Sequence, residues 1–213
     1  MLFKSFDEIK AKVLSVVPGL PDPVAKNLVI ESAIEFSKHT LISQETVEDV
    51  DLDPLEAIYD IENVSSNTIP YMLMWLKAGN NPLTPVNHSG FSFAYARVEG
   101  TPEKYVGIGQ RQIRLIPAPS EGYANTNSLD MRVAYIPSPS AKKLDRELVE
   151  TWGFAIALGA RYLALEQISM PWGNSKLSSK YEKDFFAEMS RCKIIVERQN
   201  TTASPTGYNQ PFF

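Results

Sequence analysis

The sequence predicts an α+β fold: a bundle of about four helices, two N-terminal and two C-terminal, an antiparallel β-sandwich or barrel-like domain inserted between them, and an extended C-terminal tail. Three observations carry this. Apolar residues recur at helical spacing up to about residue 40, the period shortens to two between about 42 and 137, and the helical period returns at Asp145 before vanishing near the end. The 213 residues then divide into a helical bundle from 1–41 and 142–199, an inserted β-domain from 42–141, and a tail from 200–213.

The first helix opens at Ser5-Phe-Asp-Glu8, a capping-box pattern in which the hydroxyl and the glutamate satisfy orphan N–H groups. Phe6, Ile9, Val13, Val16 and Val17 form its apolar stripe, and Pro18-Gly19 stops it. Asp22-Pro23 starts the second helix, with Asp22 at the N-cap and Pro23 where its missing N–H is harmless. Val24, Leu28, Val29, Ile30, Ala33, Ile34 and Phe36 make that helix apolar on more than one face up to about Thr40, so neighbours must bury it on two sides.

From Leu41 short strands follow, parted by turn chemistry. Candidates lie at 46–52, 57–61, 69–76, 91–95, 105–108, 112–116 and 131–135. Ile113 and Leu115 alternate with Arg114, as Met131, Val133 and Tyr135 do with Arg132, the mark of a sheet with one wet face. Pro117, Pro119, Pro137 and Pro139 close strands, because proline cannot serve a central ladder. Leu148, Trp152, Ala155, Ile156, Gly159 and Leu163 then read as one helical stripe rich in small residues. Trp152, Gly159 and Ala160 are its candidates for close helix packing, since small residues let another helix approach. Met170-Pro-Trp-Gly-Asn174 breaks it. A last helix over 175–199 carries the ladder Leu177, Tyr181, Phe185, Met189, Cys192, Val196.

Composition narrows the function. The chain is 44% hydrophobic and 22% charged, ordinary for a globular protein. No apolar stretch of about 18 residues predicts a membrane span, and the acidic residues in the N-terminal segment do not fit a signal peptide. One cysteine excludes an internal disulfide and any multi-cysteine metal site. The formal charge of −4 argues against a protein that coats nucleic acid. It is unevenly spread: residues 41–75 hold eight acids (Glu45, Glu48, Asp49, Asp51, Asp53, Glu56, Asp60, Glu62) and no Lys or Arg.

Chemistry-bearing patterns are weak. His39 ends a helix and His88 sits in a loop, and no nucleophile motif accompanies either. Gly107-Ile-Gly109-Gln-Arg111 lacks the third glycine and following helix of a phosphate loop, and reads as a hairpin turn. Asp49, Asp51 and Asp53, spaced by two, leave three readings open: a calcium site without the fixed offsets of an EF-hand, one solvated face of a strand, or, with Glu48, an acidic wall that repels phosphates along a DNA passage. No cofactor is expected, and the chain reads as a structural protein rather than an enzyme. A hydrolase using two of the clustered carboxylates is the distant alternative.

The order of parts resembles the head-to-tail adaptor proteins of tailed bacteriophages, a class that includes connector, head-completion and tail tubular-type proteins. The residues that carry the resemblance are Ile30-Glu-Ser-Ala-Ile-Glu-Phe-Ser37, Ala57-Ile-Tyr-Asp-Ile61 and Gly100-Thr-Pro-Glu-Lys-Tyr105 leading into Gln112-Ile-Arg-Leu-Ile-Pro-Ala-Pro119. They continue with Asp130-Met-Arg-Val-Ala-Tyr-Ile-Pro137, the alanine-rich helix over 148–166, Met170-Pro-Trp-Gly-Asn174 and the helix from Leu177, so that residues 5–198 are covered. The loop 79–90 does not match. The resemblance implies a virion protein, assembled in the host cytoplasm, that forms a ring of copies matching the twelve-fold portal. That ring would bind the portal, extend the channel through which double-stranded DNA passes without sequence-specific contact, and dock the next tail or nozzle protein, with no membrane involved. Another neck component, a stopper or terminator, is the neighbouring alternative. By position the tail would grip the portal, with Tyr208, Pro211, Phe212 and Phe213 as anchors. Its 14 residues could span up to about 45 Å when extended.

Overall fold

Two helices open the chain where the apolar spacing places them. The computed structural model describes residues 1–86, 98–109 and 111–201. After a two-residue strand β1 (Phe3–Lys4) come α1 (Asp7–Leu14) and α2 (Asp22–Thr40). The capping box does not form: Ser5 Oγ accepts from the Asp7 amide at 3.3 Å and also pairs with the Asp7 carboxylate, while Phe6 occupies the N-cap. Asp22 is already the first helical residue, behind an extended Pro21. Ile9, Val13 and Val17 are buried as the stripe requires, whereas Val16 is exposed.

The middle of the chain forms β2 (Gln44–Asp51), β3 (Ile58–Asp60), β4 (Thr68–Ala78), β5 (Asn81–Pro82), β6 (Thr84–Pro85), β7 (Glu99–Gly100), β8 (Lys104–Ile108), β9 (Gln112–Ile116) and β10 (Ala118–Pro119). A one-turn helix α3 (Glu121–Ala124), β11 (Ser128–Pro137) and β12 (Leu144–Asp145) complete it. One four-stranded sheet has the order β2-β11-β4-β5 and another the order β3-β9-β8-β6. Side chains from both four-stranded sheets share one core, among them Leu76, Leu129 and Val133 with Tyr59, Ile113 and Leu115. The apolar partners of Arg114 and Arg132 lie inside as expected, but the opposite face is not simply wet: both arginines are half-buried, and Ala134 and Ile136 on the Arg132 face of β11 are buried as well.

The C-terminal part holds α4 (Arg146–Glu150), α5 (Gly153–Glu166) and α6 (Ser175–Thr201). The single helix expected from Asp145 is two, because the backbone leaves helical geometry at Trp152 (φ −111°, ψ 8°), which caps α5. Leu177, first rung of the expected ladder, is exposed; Phe185, Met189, Cys192 and Val196 are buried.

The fold class differs from expectation. The structure has six helices and four sheets among its described residues, a mixed α/β arrangement rather than a four-helix bundle carrying an antiparallel β-sandwich. Periodicity missed the one-turn α3 and the break at Trp152, and alternation cannot distinguish parallel partners: β6 pairs with β8, and β10 with β7, in parallel. The chain divides into two compact units. One holds Met1–Phe3 and Ser43–Asp145, the other Lys4–Ile42 and the residues from Arg146 on. The expected borders stood at 41/42 and 141/142, and the first three residues were expected with the helices. They belong to the β-rich unit, where the N-terminal ammonium meets the Glu45 carboxylate at 3.1 Å.

Candidate interaction surfaces

In the helical unit α5 is the central element, packed on α1, α2 and α6. Its small residues explain how. Gly159 faces α2 and α6 so closely that a Cβ there would lie 2.2 Å from Ser32 Oγ and 2.7 Å from Phe185 Cζ. Ser32 Oγ donates to the Ile156 carbonyl at 2.8 Å, tying α2 to α5. Phe36 stands between the Trp152 ring at 5.6 Å and the Phe185 ring at 6.2 Å. Trp152, Gly159 and Ala160 are all buried. Arg161 adds a guanidinium bond to the Lys12 carbonyl at 2.8 Å and lies over the Tyr181 ring.

Cys192 is fully buried. Burial pushes its thiol up to about 12, against a smaller opposing effect of a hydrogen bond with Thr40. A thiol held protonated is no nucleophile. His39 lies exposed in the last turn of α2. β8 and β9 pair antiparallel and Gly109, just past the end of β8, is left-handed at φ 63°, the pattern of a hairpin rather than of a phosphate loop.

The acidic candidates lie on the edge of the β-rich unit. Among the described residues strand β2 pairs only with β11. Glu48, Asp49, Asp51 and Asp53 are all exposed. They do not form one continuous pleat. A bulge sets Glu48 and Asp49 against the single residue Asp130, and Asp49 adopts φ 57°. Its amide donates to Asp130 Oδ1 at 3.0 Å. Asp53 falls beyond the strand end, in a turn where Leu55 is left-handed at φ 67° and 61% exposed. A bulky residue in that region is an outlier. Among the described residues no three His, Cys, Asp or Glu side chains converge as a metal site, so the calcium reading finds no ligand set. Asp60 and Glu62 line a shallow surface pocket with Arg111, where Asp60 Oδ1 accepts from Gln112.

Two surfaces escaped sequence reasoning. Beside α5, Thr151, Trp152, Phe154, Ala155, Glu188 and Ile195 line an open groove of about 460 Å³, with Phe154 57% exposed. On α6 the outward positions hold Lys176, Lys180, Lys183, Arg191, Ile194 and Arg198, all exposed. Steps of three, four, seven and eight residues keep these on one face. That spacing is legible in the sequence, where the apolar ladder on the opposite side is the stronger signal. The four anchors proposed in the tail, Tyr208, Pro211, Phe212 and Phe213, lie outside the described residues, as do His88 and the strand candidate at 91–95.

No family model matches this chain, and no curated protein matches it. Among the described residues no helix is long and apolar enough to cross a membrane.

Proposed function

We propose that this protein is a structural head-to-tail adaptor of a tailed phage. In this reading a ring of copies sits beneath the portal, continues the DNA channel and receives the next tail component, and the protein is not an enzyme. The observation that carries the reading is the order of parts. A β-rich unit is inserted between α2 and α4, while the helices on either side of it join in one helical unit around α5. This is the arrangement of segments on which the resemblance to the adaptors rests. Exposed apolar side chains on that helical unit, Phe154, Phe186 and Ile194, give it surface suited to partners.

The tail supplies the test. Residues 202–213 contain Pro205 and Pro211, which restrict the backbone, and three aromatic side chains able to fill pockets on a partner. A chain ending at Thr201 should keep its far-UV circular dichroism and lose attachment to portal-bearing heads. Truncated protein that occupies heads as fully as the complete chain would remove the tail from the portal contact. Complete chain that fails to attach would refute the adaptor reading itself.

A further inference from the structure

We propose that this chain docks onto a second copy of itself through two unlike patches: the cationic outer face of α6 on one copy against the acidic β2 edge and the following turn on the next. The inference deepens the adaptor reading, on which it rests for the closing of successive contacts into a ring.

The two patches mirror each other in chemistry. On α6, Ile194 is 49% exposed with Arg191 and Arg198 beside it, and Lys176, Lys180 and Lys183 continue the strip towards the helix N-terminus. The strip from 176 to 198 spans about 33 Å at the helical rise, with the exposed Asp184 at its border. The three lysines make no ion pair among the described residues, and Arg191 reaches only Glu188, at 3.6 Å. On the β-rich unit the apolar centre is Leu55, held outward by its left-handed backbone and flanked by Asp53 and Glu56. Glu48, Asp49 and Asp51 extend this patch along β2, and none of the five carboxylates makes an ion pair among the described residues. An apolar centre with a charged rim on each side, of opposite sign, is what a specific and electrostatically steered contact requires.

Symmetry follows from charge. Two β2 edges brought together would oppose carboxylate to carboxylate, which blocks the edge-to-edge pairing a free strand otherwise invites. A contact between unlike patches is heterologous, and repeats until it closes into a ring or runs on as a filament. The rival occupant of the α6 strip is the DNA backbone, which five cations could also meet. The chain's own net charge of −4 opposes that approach, while its acidic patch offers the strip a counterpart of matching sign.

The test uses the complete chain, a triple reversal on each patch and the two combined. Wild-type protein should sediment as an assembly at about 0.05 M salt and as the 23.8 kDa chain at about 0.5 M. K176E/K180E/K183E and E48K/D51K/D53K should each remain single chains at low salt with unchanged circular dichroism, and the combined variant, with both signs exchanged, should assemble again. Carbodiimide cross-linking of a mixture of ¹⁴N and ¹⁵N chains should join the α6 lysines to the β2 carboxylates in pairs of mixed isotope. Wild-type chains that stay monomeric and yield no mixed pairs would overturn the proposal, as would either triple variant assembling like wild type. If K176E/K180E/K183E loses duplex DNA binding and keeps its assembly, the strip belongs to nucleic acid and the proposal fails. Reversal variants that still form rings on heads would sink this contact and leave the adaptor reading standing. Wild-type chain that attaches to no head would sink that reading.

Discussion

Gly159→Ala inserts one methyl group where there is no room for it. The new Cβ would sit 2.2 Å from Ser32 Oγ and 2.7–2.8 Å from the edge of the Phe185 ring, so the neighbours must yield by about an ångström to reach ordinary contact. Ser32 can move only by abandoning the Ile156 carbonyl, a loss of about 1 kcal/mol. Phe185 is clasped by Phe36 and cannot swing freely. Overpacking of this kind costs about 1–3 kcal/mol. Against it stands the better helix propensity of alanine, about 1 kcal/mol. The net loss is therefore about 1–3 kcal/mol, which lowers the thermal midpoint by roughly 3–10 °C. Thermal unfolding followed by circular dichroism at 222 nm reads this directly. Ser32→Ala in the same background should recover part of the loss, so the two changes should not add. Gly159→Leu should prevent the helical unit from forming. If Gly159→Ala unfolds at or above the wild-type temperature, the close approach of α5 to α2 and α6 is not as described.

Cys192 should resist thiol reagents in the native protein at pH 8 and react only as the helical unit unfolds, because burial keeps the thiol protonated until pH approaches about 12; prompt labelling would contradict its place in the core. The Tyr135 phenol, raised by burial first and by Glu45 and Glu62 next, contributes stability that is complete below the ordinary tyrosine value near 10 and drains away as pH rises through the higher folded value. Tyr135→Phe should remove that alkaline loss, together with the bond to the Glu62 carbonyl; identical alkaline melts of the two proteins would count against the assignment. Glu150 is depressed by its Arg146 bond first and by Lys4 as well. The stability difference between wild type and Glu150→Gln should therefore be present above the usual glutamate range and fade as pH falls through the lower folded value.

The longer helices and the six described strands of three or more residues were legible because their periods are bounded by proline, glycine or a cap residue, whereas the six two-residue strands left no period to read. α2, β8, β9 and α6 stand within a few residues of the positions that spacing assigned. What failed was what spacing does not encode. The break at Trp152 interrupts an apolar stripe that runs through it, and Gly153 beside it is the one local signal of the break. Parallel pairing of β6 with β8 depends on where a distant segment returns. The even spacing of Asp49, Asp51 and Asp53 suggested one face, and the bulge opposite Asp130 broke it. At the candidate surfaces, Gly159 was readable from its small neighbours. The cationic spacing along α6 was readable as well, but the exposure of Ile194 and Leu55 within their patches was not, since a single exposed apolar residue leaves no periodic trace.

The adaptor reading itself is tested most directly by electron microscopy of the purified chain mixed with portal-bearing heads that lack a tail. The account predicts a ring of this protein seated under the portal and coaxial with the DNA channel, and heads that then accept the next tail component. Heads that stay bare at saturating protein, with the chain remaining a folded monomer beside them, would contradict it.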